Sequence, residues 1–288
     1  MLTEEPLVST QWLAAHLGDP KLRVVDIRGY VTTRPLEAGV EEATYRGAPE
    51  EYTAGHIPGA VFVDWTRDIT DPADPVPSQI APPERFAEAM ADRGIGDGTH
   101  VVVYDHAGGQ FATRLWWALQ YHGHTAVSVL DGGWNRWQEE EKPTEPGPVA
   151  VERRAFHPKL RDRLRVTVPE VQGILGRRDV QLLDARDARQ YTGDRRRGPR
   201  GGHIPGAINL PRELFFAEKG GFLAPEEVRE RLSSFDLKPD RPTVAYCNGG
   251  VAATVLLFQL HRLGFTDLAN YDGSWNEWGP RTELPIEV

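Results

Sequence analysis

The sequence predicts an α/β protein of two tandem domains, each a mainly parallel sheet flanked by helices, and three observations carry that expectation. The chain has 288 residues, more than one typical domain holds and enough for two with cores of their own. Its second half repeats blocks of the first in the same order. Within each half, short apolar runs of strand length alternate with helical patterns, as expected of parallel strands covered on both faces.

The repeat is plainest at Asp131-Gly132-Gly133-Trp134-Asn135-Arg136-Trp137, which returns as Asp272-Gly273-Ser274-Trp275-Asn276-Glu277-Trp278. Upstream, Gly55-His56-Ile57-Pro58-Gly59-Ala60 returns as Gly202-His203-Ile204-Pro205-Gly206-Ala207, and Val25-Asp26-Ile27-Arg28 answers Leu183-Asp184-Ala185-Arg186. The expected division is a first domain over 1–141, a linker over 142–162 and a second domain over 163–288. The linker stretch is rich in proline and charge and lacks apolar periodicity.

Leu22 to Ile27, Val101 to Tyr104 and Val127 to Leu130 read as strands of the first domain, and Val180 to Leu183 and Val244 to Tyr246 as strands of the second. Ser9 and Thr167 stand where helix N-caps are expected, and Pro83 and Pro225 fit first helical turns. Gly94, Gly123 and Gly264 fit the residues just past helix ends. Trp134, Trp137, Trp275 and Trp278, three apart in pairs, read as packing residues on helices.

Composition narrows the function. Hydrophobic residues make up 40% and charged residues 26%, and no apolar run approaches the roughly 20 residues of a membrane span. An acidic start, MLTEEPLVSTQWLAAHL, lacks a basic leader region, so a cytoplasmic location is expected. A net charge of −9 argues against nucleic acid as a partner. One cysteine and nine histidines without an HExxH-type spacing imply no metal, and nothing calls for another cofactor.

The single cysteine, Cys247, follows the run Thr243 to Tyr246 and precedes Asn248-Gly249-Gly250-Val251-Ala252 and an apolar helix. Ligands gather at the carboxyl ends of parallel strands, where loops lead into helix N-termini. Glycines let such a loop bend around the sulfur and aim amide N–H groups at it, and the helix adds its positive end. A free thiol is only about 3% thiolate at pH 7, and surroundings of this kind favour the thiolate. Cys247 therefore reads as a nucleophile, against the plainer reading of a small buried core residue.

Taken with the two Gly-His-Ile-Pro-Gly-Ala blocks and the Asp-Gly-Ser-Trp-Asn-Glu-Trp ending, this loop resembles that of the two-domain rhodanese sulfurtransferases, and the resemblance covers essentially the whole chain. It implies that Cys247 accepts a sulfane sulfur as a persulfide and passes it to cyanide or a thiol. It also implies a first domain without a nucleophile, and Asp105 stands where the repeat would place one. Arg186 matches the family's arginine for an anionic donor, and Asn248, Gly249, Gly250, Val251 and Ala252 form the loop that would hold the transferred sulfur.

Arg197, within Arg195-Arg196-Arg197-Gly198-Pro199-Arg200, is a further candidate for gathering the anion. Ser274, which replaces Gly133 of the first copy, suggests a polar role near the sulfur, and His56 is a candidate to face the site from the first domain. Thiosulfate enzymes of the family commonly carry basic residues after the cysteine, and mercaptopyruvate enzymes small uncharged ones with a threonine after the valine. Asn248 and Gly249 side with the second group and Ala252 departs from it, so the donor stays open. The related phosphatases need an arginine after five loop residues, where this chain has Ala253. A non-catalytic persulfide carrier in a sulfur relay is the alternative class.

Overall fold

The computed structural model describes residues 2–37, 39–218 and 220–288. The first half contains strands β1 (Leu7–Val8), β2 (Leu22–Asp26), β3 (Gly29–Glu37), β4 (Val40–Gly47), β5 (Val61–Phe62), β6 (His100–Tyr104) and β7 (Val127–Leu130). Five of them form a parallel sheet in the order β1-β7-β6-β2-β5. The second half contains β8 (Arg165–Val166), β9 (Gln181–Asp184), β10 (Ile208–Asn209), β11 (Thr243–Tyr246) and β12 (Leu268–Tyr271), parallel in the order β8-β12-β11-β9-β10. The two orders match strand for strand. The central strands are buried along their whole length, as near-continuous apolar runs such as His100-Val101-Val102-Val103-Tyr104 require.

Helices lie where the punctuation predicts. Helix α1 (Thr10–His16) starts at Ser9, whose hydroxyl accepts from the Trp12 N–H at 3.0 Å. Helices α2 (Pro49–Ala54) and α3 (Pro83–Asp92) both open on proline, and α3 is followed at once by Arg93 and Gly94. Then come α4 (Gln110–Tyr121) and α5 (Gly133–Glu139). In the second half, α6 (Val168–Ile174) is capped by Thr167, whose N–H donates to the Glu170 carboxylate at 2.7 Å. The remaining helices are α7 (Ala188–Tyr191), α8 (Pro225–Leu232), α9 (Ala253–Arg262) and α10 (Ser274–Trp278).

Two features depart from the sequence reading. The β3–β4 pair is an antiparallel hairpin, Thr32 opposite Thr44, where no element was expected. The outer part of β3 is exposed on both faces and β4 alternates only briefly, Ala43 and Tyr45 half-buried between exposed Glu42, Thr44 and Arg46, so the strand pattern is short and weak. Residues 142–161 form no helix or strand but do not hang free. Glu145 and His56 exchange two backbone hydrogen bonds of 3.0 Å, and Phe156 is buried in the core. The stretch is strapped along the first half.

The halves meet through α4 and α9. Eleven residues of α4 and the first eight of α9 are buried, because each helix is covered by its own sheet on one side and by the other helix on the opposite side. The equivalent threonines Thr113 and Thr254 hydrogen-bond to each other at 2.9 Å, marking the local two-fold relation. Trp116 packs edge-on against Phe258 at 5.1 Å, and one apolar cluster runs through both halves. Among the described residues, no helix is long and apolar enough to cross a membrane.

Candidate active site

Strand register puts Asp105 and Cys247 in the same place in the two halves. Tyr104 pairs with Asp26 and Tyr246 with Asp184, so the next residue in each case opens the loop at the strand's carboxyl end. Both tyrosines are buried and their hydroxyls accept the N–H of Ile57 and Ile204, which locks each loop against its Gly-His-Ile-Pro-Gly turn. Burial pushes the Tyr246 hydroxyl well above its ordinary pKa, so it stays neutral.

The two loops treat their first residue differently. In the first half, the Asp105 carboxylate accepts four backbone N–H bonds, from Ala107 at 2.8 Å, Gly109 at 2.9 Å, Phe111 at 2.8 Å and Ala112 at 2.9 Å. The loop and the first turn of α4 thus wrap an anion. In the second half, the N–H groups of Asn248, Gly249, Val251, Ala252 and Ala253 meet no hydrogen-bond acceptor among the described residues. Cys247, 3% exposed, immediately precedes them in the chain, at the strand end.

The second loop is held from behind. The Ser274 hydroxyl accepts from the N–H of Cys247 at 3.1 Å and of Gly250 at 3.0 Å, and donates to the Tyr271 carbonyl at 2.7 Å. Its backbone is left-handed at φ 52°, as is Gly133 of the first half at 53°, where a Cβ would lie 2.2 Å from the Asp105 carbonyl. Gly250, at φ 70°, lies so close to Asp272 that a Cβ would stand 2.7 Å from its carbonyl oxygen. The Gly250 carbonyl accepts from Arg114 Nη1 at 3.2 Å and from Asn270 Nδ2 at 2.9 Å. In a planar trans peptide the next N–H points the opposite way, so these donors turn the Val251 N–H away from themselves.

Sequence reasoning missed Arg114. It is 1% exposed and the only charged residue of the mostly apolar α4, pairs with the buried Asp272 carboxylate, donates to the Ser78 carbonyl at 2.8 Å and lies 4.7 Å over the Trp117 ring. The available signal was a lone arginine where the second copy has Val255.

A cavity of about 310 Å³ opens over Cys247. Asn248, Gly249, Val251, Ala252, Arg186 and Arg197 line it, together with Arg195 and Arg212. The first half supplies Val31, Thr33 and Tyr45 from its hairpin, and Ser78 and Gln110. Two expectations need correcting. His56 is not part of this cavity: it is fully buried, stacks on Tyr52 at 4.2 Å and bonds the Tyr52 carbonyl through Nδ1 at 2.9 Å, and its counterpart His203 does the same on Tyr191. The Gly-His-Ile-Pro-Gly turns are built by these stacks. Gly250 lies behind the loop, where its N–H donates to the Ser274 hydroxyl, rather than on the cavity wall.

Arg186 is less free than expected. Its Nε and Nη2 are engaged by the Asp184 carboxylate and the Gly202 carbonyl, and its guanidinium lies 4.3 Å over Trp275. Arg28 makes the same pair with Asp26 over Trp134. Burial works against the Arg186 charge, but the Asp184 carboxylate outweighs it and holds the guanidinium above its ordinary pKa. Arg197 instead reaches the Glu41 carboxylate of the hairpin, Nε to Oε1 2.9 Å.

A sequence profile described as a rhodanese-like domain matches the chain twice, over residues 9–140 and 167–280. The 3-mercaptopyruvate sulfurtransferase of Escherichia coli (strain K12) is 34% identical over 283 residues, covering 97% of each chain. The thiosulfate sulfurtransferase of Bos taurus is 35% identical over 282 residues, covering 94% of this chain and 91% of the relative. The crystal structure of SseA from Escherichia coli, described as a 3-mercaptopyruvate sulfotransferase of rhodanese fold, matches with a TM-score of 0.82 at 32% identity, over 94% of this chain and 99% of that one. With two copies of the domain and relatives of both types along nearly its whole length, the chain belongs to the rhodanese family and is a sulfurtransferase of the 3-mercaptopyruvate or thiosulfate type.

Proposed function

We propose that the protein takes a sulfane sulfur from a small anionic donor, thiosulfate or 3-mercaptopyruvate, as a persulfide on Cys247 and delivers it to cyanide or a thiol. One observation supports this above the others. The first-half loop holds a carboxylate with four N–H groups, and the equivalent second-half loop, which follows Cys247, leaves five N–H groups without an acceptor among the described residues. A thiolate or persulfide anion is the natural occupant of such a cradle.

With thiosulfate, the Cys247 thiolate attacks the outer sulfur, the sulfur–sulfur bond breaks and sulfite leaves with the electron pair. With 3-mercaptopyruvate, the carbon–sulfur bond breaks and the carbon leaves as an enolate that takes up a proton to give pyruvate. In both cases the negative charge settles on the transferred sulfur. Acceptor attack on that sulfur returns the electron pair to Cys247. The loop N–H groups stabilise the anion at each stage, so no separate base is needed for the nucleophile. Arg197, Arg186 and Arg212 on the cavity wall face the donor's anionic end. The first half, with Asp105 in place of a nucleophile, closes the cavity without chemistry of its own.

The test is Cys247→Ser, assayed with thiosulfate and 3-mercaptopyruvate side by side. We expect loss of turnover with both donors, and mass spectrometry of the donor-treated parent protein should show one added sulfur atom on Cys247. Sulfur transfer that survives the substitution refutes the assignment.

A further inference from the structure

The four arginines of the Cys247 cavity do not present free positive charge. Arg186 is paired with Asp184, Arg195 with Asp187 and Arg212 with Glu213 at 3.1 Å. Arg197 is paired with Glu41, whose other oxygen lies 3.8 Å from Arg195 Nε. Each guanidinium on the wall therefore faces a carboxylate. Three of these carboxylates come from the second half itself, and the fourth comes from the hairpin of the first.

Glu41 is built into this position. Its N–H donates to the Arg196 carbonyl at 3.0 Å, and the Arg196 N–H donates to the Gly39 carbonyl at 2.8 Å, joining the hairpin backbone to the arginine loop. Its side chain is 10% exposed. Besides Arg197, Glu41 Oε1 accepts from Gln190 Nε2 at 2.8 Å, and Gln190 Oε1 accepts from Asn248 Nδ2 at 3.0 Å. A carboxylate of the first half is thus connected through one buried amide to the residue that follows Cys247.

We propose that Glu41 is a specificity-determining residue: by neutralising Arg197 and facing Arg195, it tunes the cavity toward monoanionic sulfur donors such as an α-keto thiol, and against dianionic donors such as thiosulfate. The reasoning is electrostatic. Glu41 stands just behind the wall, against Arg197, and a fixed negative charge there repels a dianion with twice the energy it exerts on a monoanion at the same distance, so removing it favours the dianion twice as much. The inference rests on Cys247 being the sulfur acceptor.

The experiment compares kcat/KM for thiosulfate and 3-mercaptopyruvate in the parent protein, Glu41→Gln, Glu41→Asp and Cys247→Ser. Glutamine keeps an oxygen for Arg197 and Gln190 while losing the charge. We expect Glu41→Gln to raise kcat/KM on the order of fivefold for the monoanion and twenty-five-fold for the dianion, shifting the ratio about fivefold toward thiosulfate. Glu41→Asp, which keeps the charge, should leave the ratio within about twofold of the parent. If Glu41→Gln lowers both donors by one common factor, the residue is only a clamp for the hairpin and the proposal is overturned. Activity remaining in Cys247→Ser would instead remove the site assignment on which the proposal stands.

Discussion

The two halves of this chain carry the same sheet, the same strand order and the same buried tyrosine at the end of the central strand, yet their loops have opposite states of satisfaction. Asp105 fills its own cradle with a carboxylate and four N–H bonds. Cys247 opens a loop in which five N–H groups lack an acceptor among the described residues. The same backbone device serves stability in one half and is left available for chemistry in the other. Each half also closes over its neighbour's loop: Asp131 accepts the Phe222 N–H at 2.9 Å and Asp272 accepts the Ile80 N–H at 2.8 Å.

Exchanging the occupants tests the comparison hardest. Asp105→Ala should cost about 3–5 kcal/mol, since four buried donors lose a charged acceptor, while sulfur transfer persists in the folded protein. Cys247→Ala should do the reverse, abolishing transfer while changing stability by about 1 kcal/mol or less. Chemical denaturation and a sulfur-transfer assay on both variants read out the two effects. Equal stability losses would break the contrast.

Arg114 joins the halves at the point where they differ. Arg114→Met leaves the Asp272 carboxylate without its closest partner and should destabilise by about 3 kcal/mol, with kcat falling more than KM changes. Arg114→Lys should recover part of the stability but less of kcat, because a single ammonium does not hold the Gly250 and Ser78 carbonyls together. If the lysine variant restores both equally, the peptide orientation argument fails.

Acid should distinguish the halves as well. Burial lowers His100 and His122, both in the first half, to about 4 from an ordinary 6.5. The unfolded chain therefore binds these protons first, so the stability they protect is complete above about pH 6.5 and is lost as pH falls toward 4. His122 accounts for up to about 3 kcal/mol of this and His100 for less. Hydrogen exchange followed from pH 7 to 5 should show first-half amides losing protection before second-half amides. The smallest effect is expected from Ser274→Gly, which makes the second half resemble the first. Lost hydrogen bonds of about 1–2 kcal/mol are partly offset by easier left-handed backbone, so unfolding should move little while transfer slows roughly tenfold.

Much of this was legible in the sequence because it depends on local signals. The duplication, the strand ends, the proline and serine helix starts and the position of Asp105 against Cys247 all follow from periodicity and repetition. The loop residues and Arg197 could be named because they lie within a few positions of the cysteine or of a repeated block. Two matched copies also made some departures visible, Ser274 against Gly133 above all, although Arg114 against Val255 went unread.

Tertiary structure decided what depends on long-range approach. His56 looked like a site residue by its place in a repeated motif, but stacking on Tyr52 commits it to a turn. Arg114 and Glu41 lie 136 residues before Gly250 and 156 before Arg197, respectively, and no local pattern marks either partner. The hairpin that carries Glu41 buries only a narrow strip, Val31, Ala43 and Tyr45 among exposed polar residues, so hydrophobic patterning announces it weakly. A chain's local signals determine where strands end and where a nucleophile stands. Which charges face one another across the cavity is determined only when two separately patterned halves pack together.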